Sequence, residues 1–157
     1  MLKREQYLEK IRNFYNSNLI KILVGIRRSG KSVILSQIIQ ELKDKGIDSE
    51  HIIYVNFEFI EFEDLTDYKE LNKYIKERIK DDKIYYLFFD EIQNVENFEK
   101  VINSLRASKK VSIFIKCKLC GKTFNNNNYQ LFGTSCFKTI CELLGVVIPK
   151  NILSICF

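Results

Sequence analysis

Long apolar runs are missing from this chain. No stretch approaches the roughly 18–20 consecutive apolar residues that a membrane-spanning helix takes, and the N-terminus from Met1 to Lys10 is charged throughout. Neither a membrane span nor a signal peptide is therefore expected, and the expected location is cytoplasmic. Cysteine is absent from the first 116 residues; all five, Cys117, Cys120, Cys136, Cys141 and Cys156, fall in the last 42. Histidine occurs once, as His51, just ahead of an expected strand and with no partner in sequence, so a structural or exposed role is expected of it. Internal repeats are absent, and no Gly-, Ser- or Pro-rich linker marks the point where cysteine begins.

What is present is globular by composition. The chain has 157 residues, 46% hydrophobic and 29% charged, enough for one ordinary domain and unlike a disordered or fibrous chain. Its formal charge of +5 is unevenly placed: residues 1–115 hold 20 Lys/Arg against 19 Asp/Glu, whereas 116–157 hold 5 Lys against Glu142 alone. The same point divides both cysteine and charge, so the expected organisation is a domain over 1–115 and a small cysteine-rich module over 116–157.

One segment carries a specific chemistry. Gly25, Ile26, Arg27, Arg28, Ser29, Gly30, Lys31 and Ser32 fit the phosphate-loop pattern GxxxxGK(S/T). The pattern needs a strand before it and a helix after it. Ile20 to Val24 reads as the strand, and Leu35, Ile38, Ile39 and Leu42 recur at helical spacing from Ser32 to Lys45 ahead of Gly46. The glycines let the backbone curl so that successive N–H groups and the positive helix end face a phosphate, where side chains would obstruct. Lys31 is the expected partner of the β- and γ-phosphates. The Ser32 hydroxyl is an expected ligand of Mg²⁺, a hard cation that takes oxygen donors.

The rest of the first 115 residues alternates strand and helix. Leu8, Ile11 and Tyr15 mark an amphipathic N-terminal helix; Ile52 to Phe57 a strand; Leu71, Tyr74, Ile75 and Ile79 a helix; Phe98, Val101, Ile102 and Leu105 another; and Val111 to Ile115 a fourth strand. Between them, Glu58, Glu61, Glu63, Asp64, Asp67 and Glu70 read as a solvated connection. Ile84 to Phe89 is continuously apolar, as a parallel strand buried on both faces should be, and it ends in Asp90 and Glu91. This order predicts an α/β parallel sheet. An acid pair after a buried strand is by itself often a helix cap. Placed 58 residues after Ser32, it forms the second half of an ATPase site, with Asp90 holding Mg²⁺ and Glu91 polarising the attacking water. A guanine-reading NKxD motif is missing, since Asn72 and Lys73 are followed by Tyr74 and Ile75, and ATP is the expected nucleotide.

Gly25 to Ser32, followed by Leu87, Phe88, Phe89, Asp90, Glu91, Ile92 and Gln93, resembles the AAA-type ATPases of bacteria and archaea that have a GxRRxGK(S/T) loop, a DEIQ box and usually a C-terminal DUF4143 domain. The resemblance covers about residues 7–115. It implies a P-loop NTPase fold of the kind with an additional catalytic glutamate, Mg²⁺ and ATP at Gly25 to Ser32 and Asp90, and Glu91 as the base. Arg27 and Arg28 match the family's loop without a role of their own being implied. After a fourth strand such as Val111 to Ile115 the family continues with Thr-Gly-Ser, a polar sensor residue, a fifth strand, an arginine finger and a lid; here Lys116, Cys117 and Lys118 follow. The expectation is a sheet truncated after its fourth strand, lacking the strand outside Ile20 to Val24, and weak or absent hydrolysis.

In the tail, Cys117 and Cys120 form CxxC, with Cys136 after 15 further residues and Cys141 after four more. Thiolate pairs on tight turns match tetrahedral Zn²⁺, which makes these four the candidate zinc ligands, while the lack of following histidines excludes a two-histidine DNA-reading finger. Asn125 to Asn128 reads as a loop, Leu143 to Phe157 as a core segment or partner surface, and Cys156 as a buried or free thiol. Two alternatives to an ATPase stand beside it: a zinc-stabilised module binding nucleic acid or protein on a non-catalytic nucleotide platform, and a truncated or fused gene product.

Overall fold

A computed structural model describes residues 4–24, 30–108, 110–116 and 152–156. In chain order the elements are α1 (Glu5–Arg12), β1 (Ile20–Val24), α2 (Lys31–Asp44), β2 (Ile52–Asn56), α3 (Tyr68–Arg78), β3 (Tyr85–Asp90), α4 (Phe98–Ser108), β4 (Val111–Lys116) and β5 (Ile152–Cys156). All five strands are parallel, in the order β2-β3-β4-β1-β5.

The alternation of side chains along each strand sorts the core into two layers. On β3, Tyr86 and Phe88 join Leu23 and Phe114 under Leu8 and Ile11 of α1 and Ile34, Leu35, Ile38 and Leu42 of α2. Tyr85, Leu87 and Phe89 face the other way, with Ile113 and Ile115, toward Leu71 and Ile75 of α3 and Val101, Ile102 and Leu105 of α4. Every residue of β3 is buried, which is why its sequence reads as a continuous apolar run. Phe88 and Phe114 stack across the ladder with centroids 4.6 Å apart and planes 9° apart. Each such side chain contributes about 1.5–3 kcal/mol by leaving water.

Helix ends follow from local chemistry. Asp67 caps α3 by accepting from Lys69 N and Glu70 N at 2.8 and 3.2 Å. Helix α2 stops at Gly46, whose φ of 84° is left-handed and lets Ile47 N donate back to Leu42 O at 3.0 Å. The two helices on the first face are tied by Glu41, which accepts from Arg12 Nε at 3.0 Å, Arg12 Nη2 at 2.6 Å and Tyr15 Oη at 2.9 Å. His51 is structural: it is buried, and its Nε2 lies 3.0 Å from Asp81 Oδ2. The acidic stretch is an exposed connection that winds as a 3₁₀ segment over Ile60–Thr66, with Leu65 buried.

One expectation is overturned. The sheet does not stop at four strands, because Ile152–Cys156 pairs in parallel with β1 in the register Ile20↔Ile152 through Val24↔Cys156. The reason is elementary: without a neighbour, β1 would leave a row of backbone N–H and C=O groups unpaired, and a short apolar segment is well suited to fill that edge. Among the described residues no helix is long and apolar enough to cross a membrane.

Candidate functional site

The parallel strands all end at one edge of the sheet, and the candidate residues gather there. Strand β4 lies between β1, which leads into the phosphate loop, and β3, which ends in Asp90. Residues 25–29, hence Gly25, Ile26, Arg27, Arg28 and Ser29, lie outside the described residues. The loop's last glycine is described. Gly30 has φ 85° and ψ 24° and serves as the N-cap of α2, where its carbonyl accepts from Ile34 N at 3.2 Å. A Cβ there would be strained by that φ and would also lie 2.6 Å from Arg4 Nη2 and 2.7 Å from the guanidinium carbon of Arg4. Arg4 thus brings a positive group against the loop's last glycine. It is placed by its own backbone N–H, which donates to Gln37 Oε1 of α2 at 3.1 Å.

Lys31 and Ser32 open α2. Lys31 is buried and Ser32 is exposed. No acidic residue lies in the first turn of this 14-residue helix, so its own first turn does not offset the positive end of its dipole. A helix terminus with a left-handed glycine before it and a lysine within it suits a phosphate.

At the end of β3, Asp90 is 1% and Glu91 2% exposed, unusual burial for two consecutive carboxylates. Their compensation comes from Lys116, the residue across the ladder from Asp90. Lys116 Nζ lies 2.6 Å from Asp90 Oδ1 and 3.0 Å from Glu91 Oε1. Tyr54 Oη donates to Asp90 Oδ2 at 3.3 Å, and Gln93 Nε2 donates to Glu91 Oε2 at 2.7 Å. Burial pushes the Asp90 carboxyl above the ordinary range, with Lys116 pulling against that shift. For Lys116 burial acts downward, but Asp90 and Glu91 outweigh it and hold the ammonium above its usual value. Tyr54 is pushed up to about 12, by burial first and by Asp90 second.

Glu91 has φ 59° and ψ 41°, left-handed for a residue with a side chain. Its N–H donates to Lys116 O at 3.0 Å and its own carbonyl accepts from Asn94 N at 3.1 Å, which holds the turn. The fit to a hard cation shows at Asp90. Among the described residues its Oδ1 has no hydrogen-bond donor of good geometry, the 2.6 Å approach of Lys116 being a charge contact. A buried carboxylate at a strand end whose oxygen is held by a cation rather than by a neutral donor, with the Ser32 hydroxyl at the helix end, is a donor set suited to Mg²⁺.

The sequence located Gly30, Lys31, Ser32, Asp90 and Glu91 on this edge and treated Lys116 only as a departure from the family's pattern. Its position after the apolar run of β4 was legible; its pairing with Asp90 required the strand register. Tyr54 and Arg4 carried no signal in the sequence. Cys117, Cys120, Cys136 and Cys141 lie outside the described residues, and among those described no cluster of three or more His, Cys, Asp or Glu could hold a metal.

The chain belongs to the AAA domain family AAA_14, whose model matches residues 17–130. The match includes the phosphate loop and the Asp90–Glu91 pair, and it runs past Ile115 into the cysteine-containing segment. An uncharacterized protein of Haemophilus influenzae is 42% identical over 117 residues, 73% of this chain and 29% of that protein. An uncharacterized protein of Methanocaldococcus jannaschii is 38% identical over 92 residues, 58% of this chain and 19% of that one. The chain therefore spans less than a third of the length of either relative. No solved structure gives a significant match. Family and fold together define a P-loop nucleotide-binding protein; an AAA domain binds ATP, usually with Mg²⁺.

Proposed function

We propose that this chain binds Mg·ATP at Gly25 to Ser32 and Asp90 and hydrolyses it slowly at best. The observation that carries the reading is the shared edge: the helix end with Gly30, Lys31 and Ser32 follows β1, the acid pair follows β3, and β4 lies between them. The order puts a cationic helix end and an acid pair at the same sheet edge, one strand apart, the arrangement a Mg-bound phosphate chain requires.

In this reading the loop's N–H groups and the α2 terminus hold the β-phosphate, and Lys31 offsets charge on the β- and γ-phosphates. Ser32 and Asp90 hold Mg²⁺, which when bound neutralises phosphate charge. Glu91 orients a water and takes its proton as the water oxygen bonds to the γ-phosphorus. The bond to the β–γ bridging oxygen breaks, and ADP and inorganic phosphate leave. Turnover is slow in this reading because the family's sensor sequence is not matched after β4. Lys116, Cys117 and Lys118 stand where the family has Thr-Gly-Ser.

Glu91→Gln tests this chemistry. It should leave ATP affinity within about twofold while removing phosphate release, because the loop holds the nucleotide and Glu91 acts only on water. Phosphate release at the wild-type rate in Glu91→Gln would refute the role.

The CxxC spacing supports a separate, narrower proposal, one zinc ion held by Cys117, Cys120, Cys136 and Cys141 in the segment between β4 and β5. Elemental analysis of the purified chain should then find about one zinc per molecule, and Cys117→Ser should lose it. A metal-free wild type would end that proposal. A protein or nucleic-acid partner for the basic cysteine-rich segment rests on charge alone, and retention on a DNA or RNA column that disappears above about 0.2 M salt is the result it requires.

A further inference from the structure

The acid pair of this site is already occupied from within the chain. Lys116 contacts Asp90 and Glu91 through one ammonium, at 2.6 and 3.0 Å, and accepts the Glu91 N–H with its carbonyl at 3.0 Å. Glu91 is gripped at both its main chain and its side chain by the same residue. The lysine cannot drift away easily: it is the last residue of β4, in register with Asp90, and its side chain is 13% exposed.

From this arrangement we infer that Lys116 is an internal competitor of the divalent metal, a tethered cation that holds Asp90 and Glu91 until nucleotide draws it off. The inference rests on the reading of Asp90 as a metal ligand and Glu91 as the base. Two consequences follow from charge and geometry. Asp90 cannot serve a divalent cation while an ammonium sits 2.6 Å from its Oδ1, because two like charges at that range repel strongly in a buried setting. Glu91, shared between Lys116 and Gln93, has both carboxylate oxygens engaged and is not free to take a proton from water. One residue thereby restrains both acidic functions. ATP supplies the means of release, since its γ-phosphate is an alternative anion for Lys116 at the same strand edge. The lysine is then a positioning residue: locked on the acids in the empty site, turned to phosphate in the filled one.

The test uses Mn²⁺ alone, whose free and bound forms electron paramagnetic resonance distinguishes, on the 157-residue chain without nucleotide. Wild type and Asp90→Asn should bind Mn²⁺ equally weakly, because Asp90 is not available in either. Lys116→Met keeps the aliphatic stem and removes the charge, and should gain Mn²⁺ affinity by at least about tenfold. That gain should vanish in Lys116→Met/Asp90→Asn, and Lys116→Arg should behave as wild type. A purely structural Lys116 would change melting temperature in these variants and leave Mn²⁺ affinity alone. Unchanged Mn²⁺ affinity in folded Lys116→Met overturns the inference. Where that variant fails to fold, the wild-type pair still decides: an Asp90→Asn chain that binds Mn²⁺ tenfold more weakly than wild type shows Asp90 already available and also overturns it. ATP titration of the same proteins in EDTA addresses the nucleotide reading separately. An absence of ATP binding in every variant would remove the nucleotide site while leaving the Mn²⁺ result to judge the lysine.

Discussion

Lys21 offers the sharpest check on the energetics of the sheet that carries the phosphate loop. It sits on β1, fully buried, with its Nζ donating to Ser17 O at 3.1 Å and to Ser112 Oγ at 2.7 Å and lying 4.6 Å from the centroid of Phe114. No carboxylate pairs with it among the described residues. Burial lowers its pKa from 10.5 to about 7, and repulsion from Arg106 adds to the shift. In the unfolded chain the amine holds its proton up to about pH 10.5, whereas in the folded chain it releases the proton near 7. The unfolded state therefore binds more protons across that window, and stability rises with pH through it. At about 1.4 kcal/mol per unit, the penalty below pH 7 is roughly 3–5 kcal/mol. Lys21→Met keeps the stem, removes the charge and costs the Ser112 hydroxyl one partner, about 1 kcal/mol. The variant should be more stable than wild type by roughly 2–4 kcal/mol at pH 6.5. The advantage should shrink steadily toward pH 9.5, because the folded-state amine is already neutral there and the remaining penalty falls as the pH approaches the unfolded value of 10.5. Urea unfolding followed by circular dichroism at several pH values measures it. A Lys21→Met chain less stable than wild type at pH 6.5, or a difference independent of pH, would refute the reasoning.

Two further perturbations probe the parts that position the site. Glu41→Ala should cost about 2–4 kcal/mol in the same urea assay, since it strips Arg12 and the buried Tyr15 hydroxyl of their shared acceptor and unties α1 from α2; a loss under about 0.5 kcal/mol would mean water replaces that acceptor without cost. Gly30→Ala should lower ATP affinity by about tenfold or more and also reduce stability by about 1–2 kcal/mol, because a Cβ at φ 85° is strained and meets the Arg4 guanidinium; ATP affinity equal to wild type by calorimetry would show that the loop does not need this conformation.

Much of the sheet was legible because burial on both faces writes itself into sequence. Tyr85 to Phe89 is apolar at every position, as two packed layers require, and the strand limits from hydrophobicity alone fall within a residue or so of those observed. The helices were legible from Leu35, Ile38 and Leu42 and from Val101, Ile102 and Leu105, whose spacing points each set at one layer. Strand β5 was not. Ile152–Cys156 is a short apolar run among other apolar runs, and its pairing is decided by the free edge of β1, a property of the assembled sheet. The same distinction explains the site. Lys31, Ser32, Asp90 and Glu91 belong to local patterns tied to one strand–helix junction or strand end. Lys116 acquires its partners only through the β3–β4 register, and Arg4 reaches Gly30 only because α1 packs on α2. Local chemistry can be read along the chain, whereas chemistry made by register needs the fold.

The central claim is that a nucleotide sits on the α2 terminus and that Lys31 faces its phosphates. Isothermal titration of ATP into the wild-type chain and into Lys31→Ala measures this directly, with circular dichroism to confirm that both are folded. The account predicts saturable ATP binding by wild type and a loss of at least about a hundredfold in affinity in Lys31→Ala, the cost of removing a charge-assisted contact to phosphate. Equal affinity in two folded proteins, or no ATP binding by the wild type, would contradict it.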